Sequence, residues 1–453
     1  MPLKFTVSGL RGIWNDGITP DVVSEYTRAF LSYLKSKGSC KKISLGRDTR
    51  KTSPVISDIV SGIVRSCGVD VLDMEIVTTP MALFVTRIFQ LDGGIIVTAS
   101  HNPPEWNALK FVDKDGVFVS QEGIDFISKL EKHSFSDWMS VGSVEKISLD
   151  DVLKLFLDKL KSVIDISVIK NRRFRVAFDP VNGAGYLLGK KFLEMFGCEV
   201  VSINDDPGKF PQRETEPVPN ALKQLSAVVL EKKCDVGFAL DPDGDRLALV
   251  LDNGVAPGEE YTLPLAELSA IKYVNRTSEK NTIVINFSTS SLSEYIAREF
   301  GFEVVRSKVG EVNVVDKLRE VGGFIGGEGN GGVIFPSVNL ARDSFVGIAL
   351  ILYLMAKEKL KLSEIISGLP KLEMVKLKTS RVIEDKEIGE IVSDLEKMFS
   401  LVEESDEDGR WFRFSNGWLH VRLSNTEPVT RVIFEGDREF TEIVTKIVNK
   451  FCK

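Results

Sequence analysis

Three segments of the chain share one order of sequence signals, and this internal repeat restricts the fold more than any other feature. Each runs from an apolar stretch typical of a strand, through a polar loop and a helical stretch, to a glycine that opens a second strand. The segments cover residues 43–71, 175–200 and 282–304, with the glycines at Gly68, Gly197 and Gly301. Glycine is typical of helix ends because it adopts the left-handed conformation readily. Strands that alternate with helices of this length predict three related α/β domains with mixed, mostly parallel sheets.

The rest of the chain predicts a fourth, smaller domain of the α+β class after residue 369. Its strands are expected at residues 418–423 and 430–434, and the charged stretch 403–410 resembles a surface turn. Residues 149–164 have the apolar spacing of an amphipathic helix at a domain boundary. A chain of 453 residues is too long for one core. The predicted domains are 1–148, 149–253, 254–368 and 369–453.

Composition and charge disfavour several functional classes. The 58 basic and 65 acidic side chains give a net charge of −7, which argues against a broad nucleic-acid-binding surface. The longest apolar run, residues 345–356, is too short to span a bilayer and predicts a buried helix. The five cysteines lack the spacing of a metal site or a disulfide framework, and the amino terminus lacks the apolar core of a signal peptide. We therefore expect a cytoplasmic protein with reduced thiols that binds neither nucleic acid nor membrane.

Each repeat runs on to one more strand, and the loop after that strand in the first repeat contains a candidate nucleophile. The apolar run 93–97 predicts a buried strand, and the loop TASHNPP at residues 98–104 ends it in a turn. We expect Ser100 on this exposed turn, where α/β folds place reactive groups, with Lys110 folded back beside it. A polar turn without chemistry is the alternative. His101 suggests a serine hydrolase, but the glycine-flanked nucleophile elbow is absent.

The corresponding loop of the second repeat, DPDGDR, has the pattern of a metal site. Asp241, Asp243 and Asp245 alternate along it, so that an extended loop would point three carboxylates to one side. Three carboxylates and a phosphate oxygen suit Mg²⁺. An EF-hand is excluded because Arg246 stands where the glycine is required and no glutamate closes the loop. A solvated acidic turn is the alternative, but a serine near a metal loop favours phosphoryl transfer.

The remaining loops supply polar groups suited to a phosphorylated sugar. In the third repeat, Glu328 and Asn330 lie among glycines that let a ligand approach the backbone, and Lys308 is a further candidate contact. In the fourth domain, hydroxyls, an amide and two arginines could hold a phosphate dianion, or could form a hydrogen-bonded turn. The candidates there are Arg422, Ser424, Asn425, Thr426 and Arg431. Arg11, in a glycine-bounded turn, and Lys110 could compensate charge or shuttle a proton, or could be ordinary surface cations.

These motifs, in this order, resemble those of the α-D-phosphohexomutases, and the resemblance covers essentially the whole chain. Residues 100–103 are similar to the phosphoserine loop of that family, and residues 241–246 to its Mg²⁺ loop. Residues 328–332 are similar to the sugar-specificity loop, and residues 422–428 to the phosphate-binding loop of the C-terminal domain. The resemblance implies three α/β domains and a fourth domain around one central cleft.

Applied to these residues, the family mechanism implies a mutase of hexose phosphates. Phosphorylated Ser100 would give its phosphoryl group to a hexose monophosphate, and the resulting 1,6-bisphosphate would turn over and return its other phosphate to the serine. The implied catalytic residues are Ser100, Arg11, Lys110 and His101. Ser100 and the three aspartates would hold Mg²⁺, while Arg246 would contact the substrate. A hexose 1,6-bisphosphate is the implied activator, and phosphates of glucose, mannose or glucosamine are the implied small-molecule partners.

Two departures from the family pattern bear on this mechanism. The opening turn, residues 5–12, is altered but keeps Arg11 and the final glycine. Many members have a histidine where this chain has Gly332, so that a role of this histidine does not transfer, and the glycine resembles archaeal-type members. Two other classes stay open: a catalytically silent sugar-phosphate-binding protein, which the intact serine, aspartates and lysine disfavour, and a metal-dependent phosphatase, which the second phosphate loop disfavours.

Overall fold

The chain forms two compact units, and neither is continuous in sequence. The computed structural model describes residues 3–38, 40–274, 280–423 and 429–451. Unit 1 comprises Met1–Glu279 and Asn330–Ser363, and unit 2 comprises Lys280–Gly329 and Glu364–Lys453. The chain therefore leaves unit 1, contributes a stretch to unit 2, returns to unit 1 and ends in unit 2. Within the described residues, no helix has both the length and the apolar character needed to cross a bilayer.

The first sheet of unit 1 has seven strands in the order β1-β2-β6-β5-β3-β4-β7. Their bounds are β1 Lys4–Thr6, β2 Gly9–Ile13, β3 Lys42–Arg47, β4 Asp70–Ile76, β5 Gly93–Val97, β6 Trp106–Asp113 and β7 Val144–Lys146. Strands β3, β4, β5 and β7 are parallel, whereas β1, β2 and β6 add an antiparallel edge. The accompanying helices are α1 Pro20–Ser36, α2 Ser53–Ser66, α3 Thr79–Ile88 and α4 Gln121–Ile127. Phe30 of α1 stacks on Phe111 of β6, which joins helix and sheet in one core.

The second sheet of unit 1 has four strands in the order β11-β10-β8-β9. Its strands are β8 Arg175–Asp179, β9 Glu199–Ser202, β10 Val236–Leu240 and β11 Leu247–Leu251. Its helices are α5 Leu149–Lys161, α6 Ile166–Lys170, α7 Tyr186–Met195, α8 Lys223–Lys232 and α9 Thr262–Tyr273, with 3₁₀ turns at Pro219–Leu222 and Glu259–Tyr261. Strands β8, β9 and β10 are parallel, and β11 returns antiparallel to β10. The alternation of apolar runs and helices therefore predicts this sheet correctly.

The returning stretch of unit 1 contributes a short strand, β15 Gly332–Ile334, and a buried helix, α12 Ser344–Glu358. Every residue of α12 from its start to Ala356 is buried, which confirms the buried helix predicted from the apolar run. Helix α12 packs on α9, and Ser269 of α9 donates a hydrogen bond of 2.6 Å to the carbonyl of Leu350. The side chain of Asp343 caps α12 by accepting from the backbone N–H groups of its first turn.

Unit 2 combines a parallel layer with an antiparallel sheet. In the parallel layer, β12 Thr282–Asn286 lies between β13 Glu303–Ser307 and β14 Ile325–Glu328, with helices α10 Leu292–Glu299 and α11 Glu311–Val321. The antiparallel sheet has the order β16-β20-β19-β18-β17. Its strands are β16 Glu373–Lys378, β17 Leu401–Ser405, β18 Arg410–Phe414, β19 Gly417–Leu423 and β20 Thr430–Gly436. Helices α14 Asp385–Glu396 and α15 Arg438–Val448 accompany it, and α13 Leu362–Ser367 lies where the chain passes from unit 1 to unit 2.

The predicted fold class is confirmed: three α/β layers and a smaller α+β segment. The two strands predicted around the last loop are β19 and β20. One prediction is wrong in part, because residues 403–405 belong to β17, which pairs with β18, and only the residues after Ser405 form a turn. The glutamates of β17 resemble a turn in the sequence because both are charged and exposed, so that the strand lacks the apolar–polar alternation of a half-buried strand.

Candidate functional site in unit 1

Ser100 stands three residues beyond the end of β5 in a backbone conformation that is rare for serine. Its φ is 50°, in the left-handed region, and the residue is 3% exposed. The expectation of an exposed turn is therefore wrong, because neighbouring loops cover the serine. Its Oγ donates a hydrogen bond of 2.9 Å to Oδ2 of Asp241, 141 residues further along the chain. A left-handed residue other than glycine, held at a loop of buried carboxylates, is typical of a functional site.

Arg50 holds the serine loop through hydrogen bonds to its backbone. No role for Arg50 was predicted from the sequence. It donates hydrogen bonds of 2.6–3.2 Å to the carbonyl oxygens of Ser100, Asn102, Pro103 and Trp106. Its Nε pairs with Asp48 at 3.0 Å, and both side chains are almost fully buried. Only the order of the strands could have indicated this role. Arg50 follows β3, which is adjacent and parallel to β5, so that the loop after β3 and the serine loop after β5 leave the same edge of the sheet.

The three aspartates converge as predicted, but on a turn instead of an extended loop. The N–H of Gly244 donates to the carbonyl of Asp241 at 3.1 Å, and Gly244 has a φ of 71° that suits glycine. One carboxylate oxygen from each of Asp241, Asp243 and Asp245 lies within 4.8 Å of the other two, and all three residues are buried. The turn folds back on itself, since the backbone N–H groups of residues 245 and 246 donate to Oδ1 of Asp241.

Each aspartate has a different partner. Lys110 of β6 donates to Oδ2 of Asp243 at 2.7 Å, and the hydroxyl of Thr79 donates to the same oxygen at 2.6 Å. Arg342 donates to Oδ2 of Asp245 at 2.6 Å. Burial would raise the pKa of Asp243, but the charge of Lys110, together with the hydrogen bonds that this carboxylate accepts, holds that pKa far below its usual value. The pKa of Asp241 is raised by burial and by the charges of the two other aspartates.

The donor set of this cluster fits a divalent cation. Among the described residues, Oδ1 of Asp243 and Oδ1 of Asp245 are buried without a hydrogen-bond partner. A buried carboxylate oxygen without a donor is costly unless a cation satisfies it. Hard oxygen ligands of this kind suit Mg²⁺, which also keeps room for a substrate oxygen. Asp241, Asp243, Asp245 and Ser100 are therefore the residues that would hold the ion.

Two further arginines lie beside the cluster. Arg11 lies in strand β2 and not in a turn as expected, because β2 pairs with β6 along residues 10–13. Its Nη1 donates to Oδ1 of Asn102 at 2.9 Å, so that it also touches the serine loop. Burial lowers the pKa of Arg11, and the charges of Asp243 and Asp245 oppose this. Arg246 is paired with Glu216 and lies 3.8 Å from Oδ1 of Asp245.

His101 is close to the serine but is not a cation. Its Nδ1 lies 3.4 Å from the Oγ of Ser100, which is long for a hydrogen bond. Burial, with the charges of Arg246 and Arg11, lowers the pKa of the imidazole to about 2. The backbone carbonyl of His101 accepts from Thr215 at 2.5 Å, a contact that also restrains the loop. His101 is thus neutral beside the serine in the absence of a phosphate.

Candidate functional site in unit 2

Glu328 ends strand β14 and is buried at the amino end of α11. Its Oε1 accepts hydrogen bonds of 2.8 Å from Nδ2 of Asn286 and from the N–H of Gly310. Lys308 is exposed two residues before Gly310. Asn330, predicted to act with Glu328, belongs to the returning stretch of unit 1, and its Oδ1 has no hydrogen-bond partner among the described residues. A carboxylate at a helix amino end is stabilised by the backbone N–H groups there.

Three cations stand in register across three strands of the antiparallel sheet. Arg422 of β19 is opposite Arg431 of β20, and Arg431 is opposite Lys378 of β16. Like charges directly opposite one another destabilise a sheet unless an anion lies between them. Lys378 could not be predicted as a member of this row, because its strand is 44 or more residues away in sequence from the predicted loop. The other predicted members of this site lie outside the described residues: Ser424, Asn425 and Thr426.

The comparisons with known proteins match nearly the whole chain to one family. Four family models match in order: "Phosphoglucomutase/phosphomannomutase, alpha/beta/alpha domain I" at residues 2–136, domain II at 154–254, domain III at 265–372 and the C-terminal domain at 374–450. The chain belongs to the phosphoglucomutase/phosphomannomutase family. The predicted resemblance to the α-D-phosphohexomutases is therefore confirmed. The third of these matches contains residues of both units, since it includes the stretch that returns to unit 1.

Relatives of this chain include archaeal proteins of nearly equal length. A phosphoglucomutase/phosphomannomutase of Thermococcus kodakarensis is 35% identical, covering 99% of both chains. A phosphoglucosamine/phosphogalactosamine mutase of Sulfurisphaera tokodaii is 32% identical, covering 99% of this chain and 98% of its own. The solved structure of a phosphoglucomutase/phosphomannomutase family protein from Burkholderia thailandensis is similar with a TM-score of 0.83 at 25% identity, covering 99% of this chain and 97% of its own.

Proposed function

We propose that this protein interconverts hexose 1-phosphates and hexose 6-phosphates through a phosphorylated Ser100 and a hexose 1,6-bisphosphate. The observation that carries the proposal is the hydrogen bond of 2.9 Å from Ser100 to Asp241, which puts the hydroxyl in a buried cluster of three carboxylates. Archaeal relatives are named for glucose, mannose, glucosamine and galactosamine phosphates. We infer that the substrate is a phosphate of glucose, mannose or glucosamine.

The proposed reaction consists of two phosphoryl transfers in opposite directions. In the first, a sugar hydroxyl attacks the phosphorus of phosphoserine, an O–P bond to the sugar forms, and the O–P bond to Ser100 breaks. The bisphosphate then reverses its orientation, and the Oγ of Ser100 attacks its other phosphate. Such transfers depend on an in-line arrangement and on positive charge around the phosphoryl oxygens.

Residues of unit 1 supply this charge in the proposed mechanism. Lys110 and Arg11 come from adjacent antiparallel strands, β6 and β2, so that the sheet itself fixes their separation. When bound, Mg²⁺ would neutralise charge on the oxygens of the transferring group. The proton of the attacking hydroxyl would pass to His101, whose neutral imidazole can accept it once a phosphate dianion is present, while Lys110 stays charged and donates hydrogen bonds. Arg246 is proposed to contact the substrate.

Residues of unit 2 are proposed to bind the sugar and the phosphate that does not react. Glu328 would accept from sugar hydroxyls, because a carboxylate has two oxygens that each accept more than one hydrogen bond. Lys308 would add a donor, as would Asn330 from the returning stretch of unit 1. The row formed by Arg422, Arg431 and Lys378, with the neighbouring residues 424–426, would hold the second phosphate.

The second phosphate site favours a mutase over the two alternatives. A phosphatase needs to bind only the phosphate that it removes, so that a second cluster of cations would have no use. A silent binding protein would not need a serine in a strained conformation facing three aspartates. The proposal also predicts that bisphosphate stimulates turnover, because it restores any enzyme that has lost its phosphate.

The test is the mass of the purified protein, measured before and after incubation with glucose 1,6-bisphosphate, with peptide mapping of residues 98–110. A phosphate mapped to Ser100 in the native protein, and its absence in the Ser100→Ala variant, is the expected result. Coupled assays with glucose, mannose and glucosamine 1-phosphates then compare isomerisation with phosphate release. Phosphate release without isomerisation would assign a phosphatase, and a protein that acquires no phosphate would be a binding protein.

A further inference from the structure

Gly332 leaves a space that the side chain of Arg342 fills. A Cβ built on Gly332 would lie 2.8 Å from Cγ of Arg342 and closer still to Cδ. Contacts of this kind under 3.0 Å do not occur between real side chains, so that Arg342 would have to move. The middle of the arginine side chain, not its flexible end, lies against the glycine. A residue with a side chain at position 332 is therefore incompatible with the present position of Arg342.

The position of Arg342 is set by the elements on either side of it. The N–H of Asp343 donates to the carbonyl of Val333 at 2.8 Å, which ties the segment to β15. The same Asp343 caps α12 and accepts from Nδ2 of Asn339 at 2.9 Å. Because a buried helix and a strand both anchor this residue, the backbone of Arg342 has little freedom to shift.

From this position the guanidinium of Arg342 reaches one oxygen of Asp245. The distance from Nη2 to Oδ2 is 2.6 Å, and the arginine side chain is 11% exposed. The other oxygen of Asp245, Oδ1, has no hydrogen-bond partner among the described residues. Arg342 thus occupies Oδ2 of the carboxylate, whereas Oδ1 has Nε of Arg246 at 3.8 Å, beyond hydrogen-bond distance, and can still face the ion.

We propose that Arg342 is a positioning residue of the phosphoryl transfer, which holds Asp245 so that only Oδ1 faces the metal, and that residue 332 is glycine to make room for it. This inference rests on the proposed function for its catalytic consequence, and on the geometry of the aspartate cluster for the rest. A carboxylate held through one oxygen binds a metal through the other, whereas a free carboxylate can bind through both. Outer partners of metal ligands orient them in this way in many metal sites.

Arginine suits this task better than lysine. Its planar fork keeps a fixed direction towards a carboxylate, whereas a lysine ammonium is a point charge on a flexible stem. The substitution Arg342→Lys should therefore keep the charge and lose part of the orientation. The substitution Gly332→Ala should displace Arg342 without removing it, because β15 is an extended strand that accepts alanine.

The test combines spectroscopy with a double-mutant cycle. The probe is Mn²⁺, which takes the same oxygen ligands as Mg²⁺. Its electron paramagnetic resonance spectrum is recorded when it is bound to the native protein and to four variants: Arg342→Ala, Arg342→Lys, Gly332→Ala and the double variant Gly332→Ala/Arg342→Ala. The kcat and KM of mutase turnover are measured for the same proteins. Arg175→Ala is the matched control, because Arg175 also pairs with a carboxylate in unit 1 but is exposed.

The proposal expects an altered Mn²⁺ spectrum in Arg342→Ala and in Gly332→Ala, and partial recovery in Arg342→Lys. The value of kcat should fall about 10- to 100-fold in Arg342→Ala with little change in the KM of the sugar phosphate. The double variant should be close to Arg342→Ala, because both contacts under 3.0 Å of an alanine at position 332 are with the arginine and only a contact of 3.2 Å with Oδ1 of Asn330 remains. A folded Arg342→Ala protein that no longer binds Mn²⁺ would also support the proposal.

Three results would overturn it. A native Mn²⁺ spectrum in Arg342→Ala would mean that the arginine does not set the geometry of Asp245. An unchanged kcat would mean that the geometry has no catalytic consequence, and additive effects of the two substitutions would separate Gly332 from Arg342. If the native protein proved not to be a mutase, the spectra would still decide whether Arg342 positions Asp245. If Arg342→Ala failed to fold, Arg342→Lys and Gly332→Ala would carry the test.

Discussion

Ser100 has a left-handed backbone conformation, which is rare for residues other than glycine. This conformation affects the stability of the loop independently of the chemistry of the hydroxyl. The strain of such a residue is about 1–2 kcal/mol and arises from the Cβ atom. Serine and alanine both have a Cβ, so that the strain is the same for either residue. A substitution that removes only the hydroxyl therefore tests the nucleophile without changing the loop.

Ser100→Ala should abolish mutase turnover while the protein stays folded. The hydroxyl is the only group of the protein that accepts a phosphoryl group in the proposed mechanism, and a loss of roughly a thousandfold or more is expected. The lost hydrogen bond to the buried carboxylate of Asp241 should lower the free energy of unfolding by about 1–3 kcal/mol. Turnover by coupled assay and thermal unfolding of the same preparation measure both effects. Activity within about tenfold of native would reject Ser100 as the acceptor.

Arg50→Lys should reduce turnover without disturbing the metal cluster. Lysine keeps the charge beside Asp48 but cannot reach four carbonyl oxygens at once, and the serine loop should shift. A displacement of about 1 Å at a reacting group can lower kcat about a hundredfold. Steady-state kinetics measure the loss, and Mn²⁺ should still bind through the three aspartates, with an affinity that changes less than kcat. Lys51→Ala, at the exposed neighbouring residue, is the control, and equal effects of both substitutions would contradict a specific role of Arg50.

At the scale of single elements, strand β19 contains a histidine that makes unit 2 sensitive to acid. His420 is fully buried, with Nδ1 2.9 Å from the hydroxyl of Ser288 and Nε2 2.5 Å from the carbonyl of Asp408. Burial lowers its pKa to about 4, although the bond to Asp408 opposes this. Below pH 6.5 the unfolded chain takes up a proton that the folded strand does not accept. The contribution of the neutral His420 to the free energy of unfolding is therefore fully present above pH 6.5 and is lost as the pH falls towards 4.

The expected loss between pH 6.5 and 4 is about 3 kcal/mol in the free energy of unfolding of unit 2. Hydrogen exchange of peptides from β19, corrected for the intrinsic effect of pH, measures it. His420→Gln should be less stable at pH 7.5, because two buried contacts are altered, but should show a smaller loss on acidification. His133→Gln, at a partly exposed histidine of unit 1, is the control. An unchanged acid response in His420→Gln would exclude this residue as the cause.

The elements themselves were largely predictable from the sequence, because their signals are local. The repeat of apolar runs, helices and glycines identifies the parallel strands, and the loops at Ser100 and Asp241 follow from where these strands end. The aspartates alternate in sequence, yet a turn brings them together, and no local pattern distinguishes a turn from an extended loop here. Arg342 could not be found, because its role depends on a contact 97 residues away and on a missing side chain at Gly332.

At the scale of the whole molecule, the path of the chain decides which fragments can fold. Unit 1 needs the returning stretch Asn330–Ser363, because α12 covers apolar residues of α9. Nine of the twelve residues of α9 are buried. A fragment that ends before this stretch would expose them, although it contains the serine loop and all three aspartates.

A fragment of residues 1–279 should therefore lack a cooperative thermal transition and should bind a hydrophobic dye. Large apolar surfaces that lose their cover are the usual origin of such partly folded states. A second protein, in which a flexible linker replaces residues 280–329 and the chain ends at residue 363, is the matched control and should melt cooperatively. Differential scanning calorimetry compares the two. Cooperative melting of the short fragment at the temperature of the longer one would contradict the dependence on α12.

The same discontinuity sets a delay during synthesis on the ribosome. Helix α9 leaves the ribosome before unit 2 contributes its first stretch, and α12 follows roughly 85 residues later. At about 5–20 residues per second, the apolar face of α9 waits about 4–17 s for its partner. The nascent chain consequently exposes an apolar surface that can aggregate, for several seconds in every round of translation. Its yield in a cell should depend on how well chaperones cover α9 in that interval, and slower codons between the two helices should lower it.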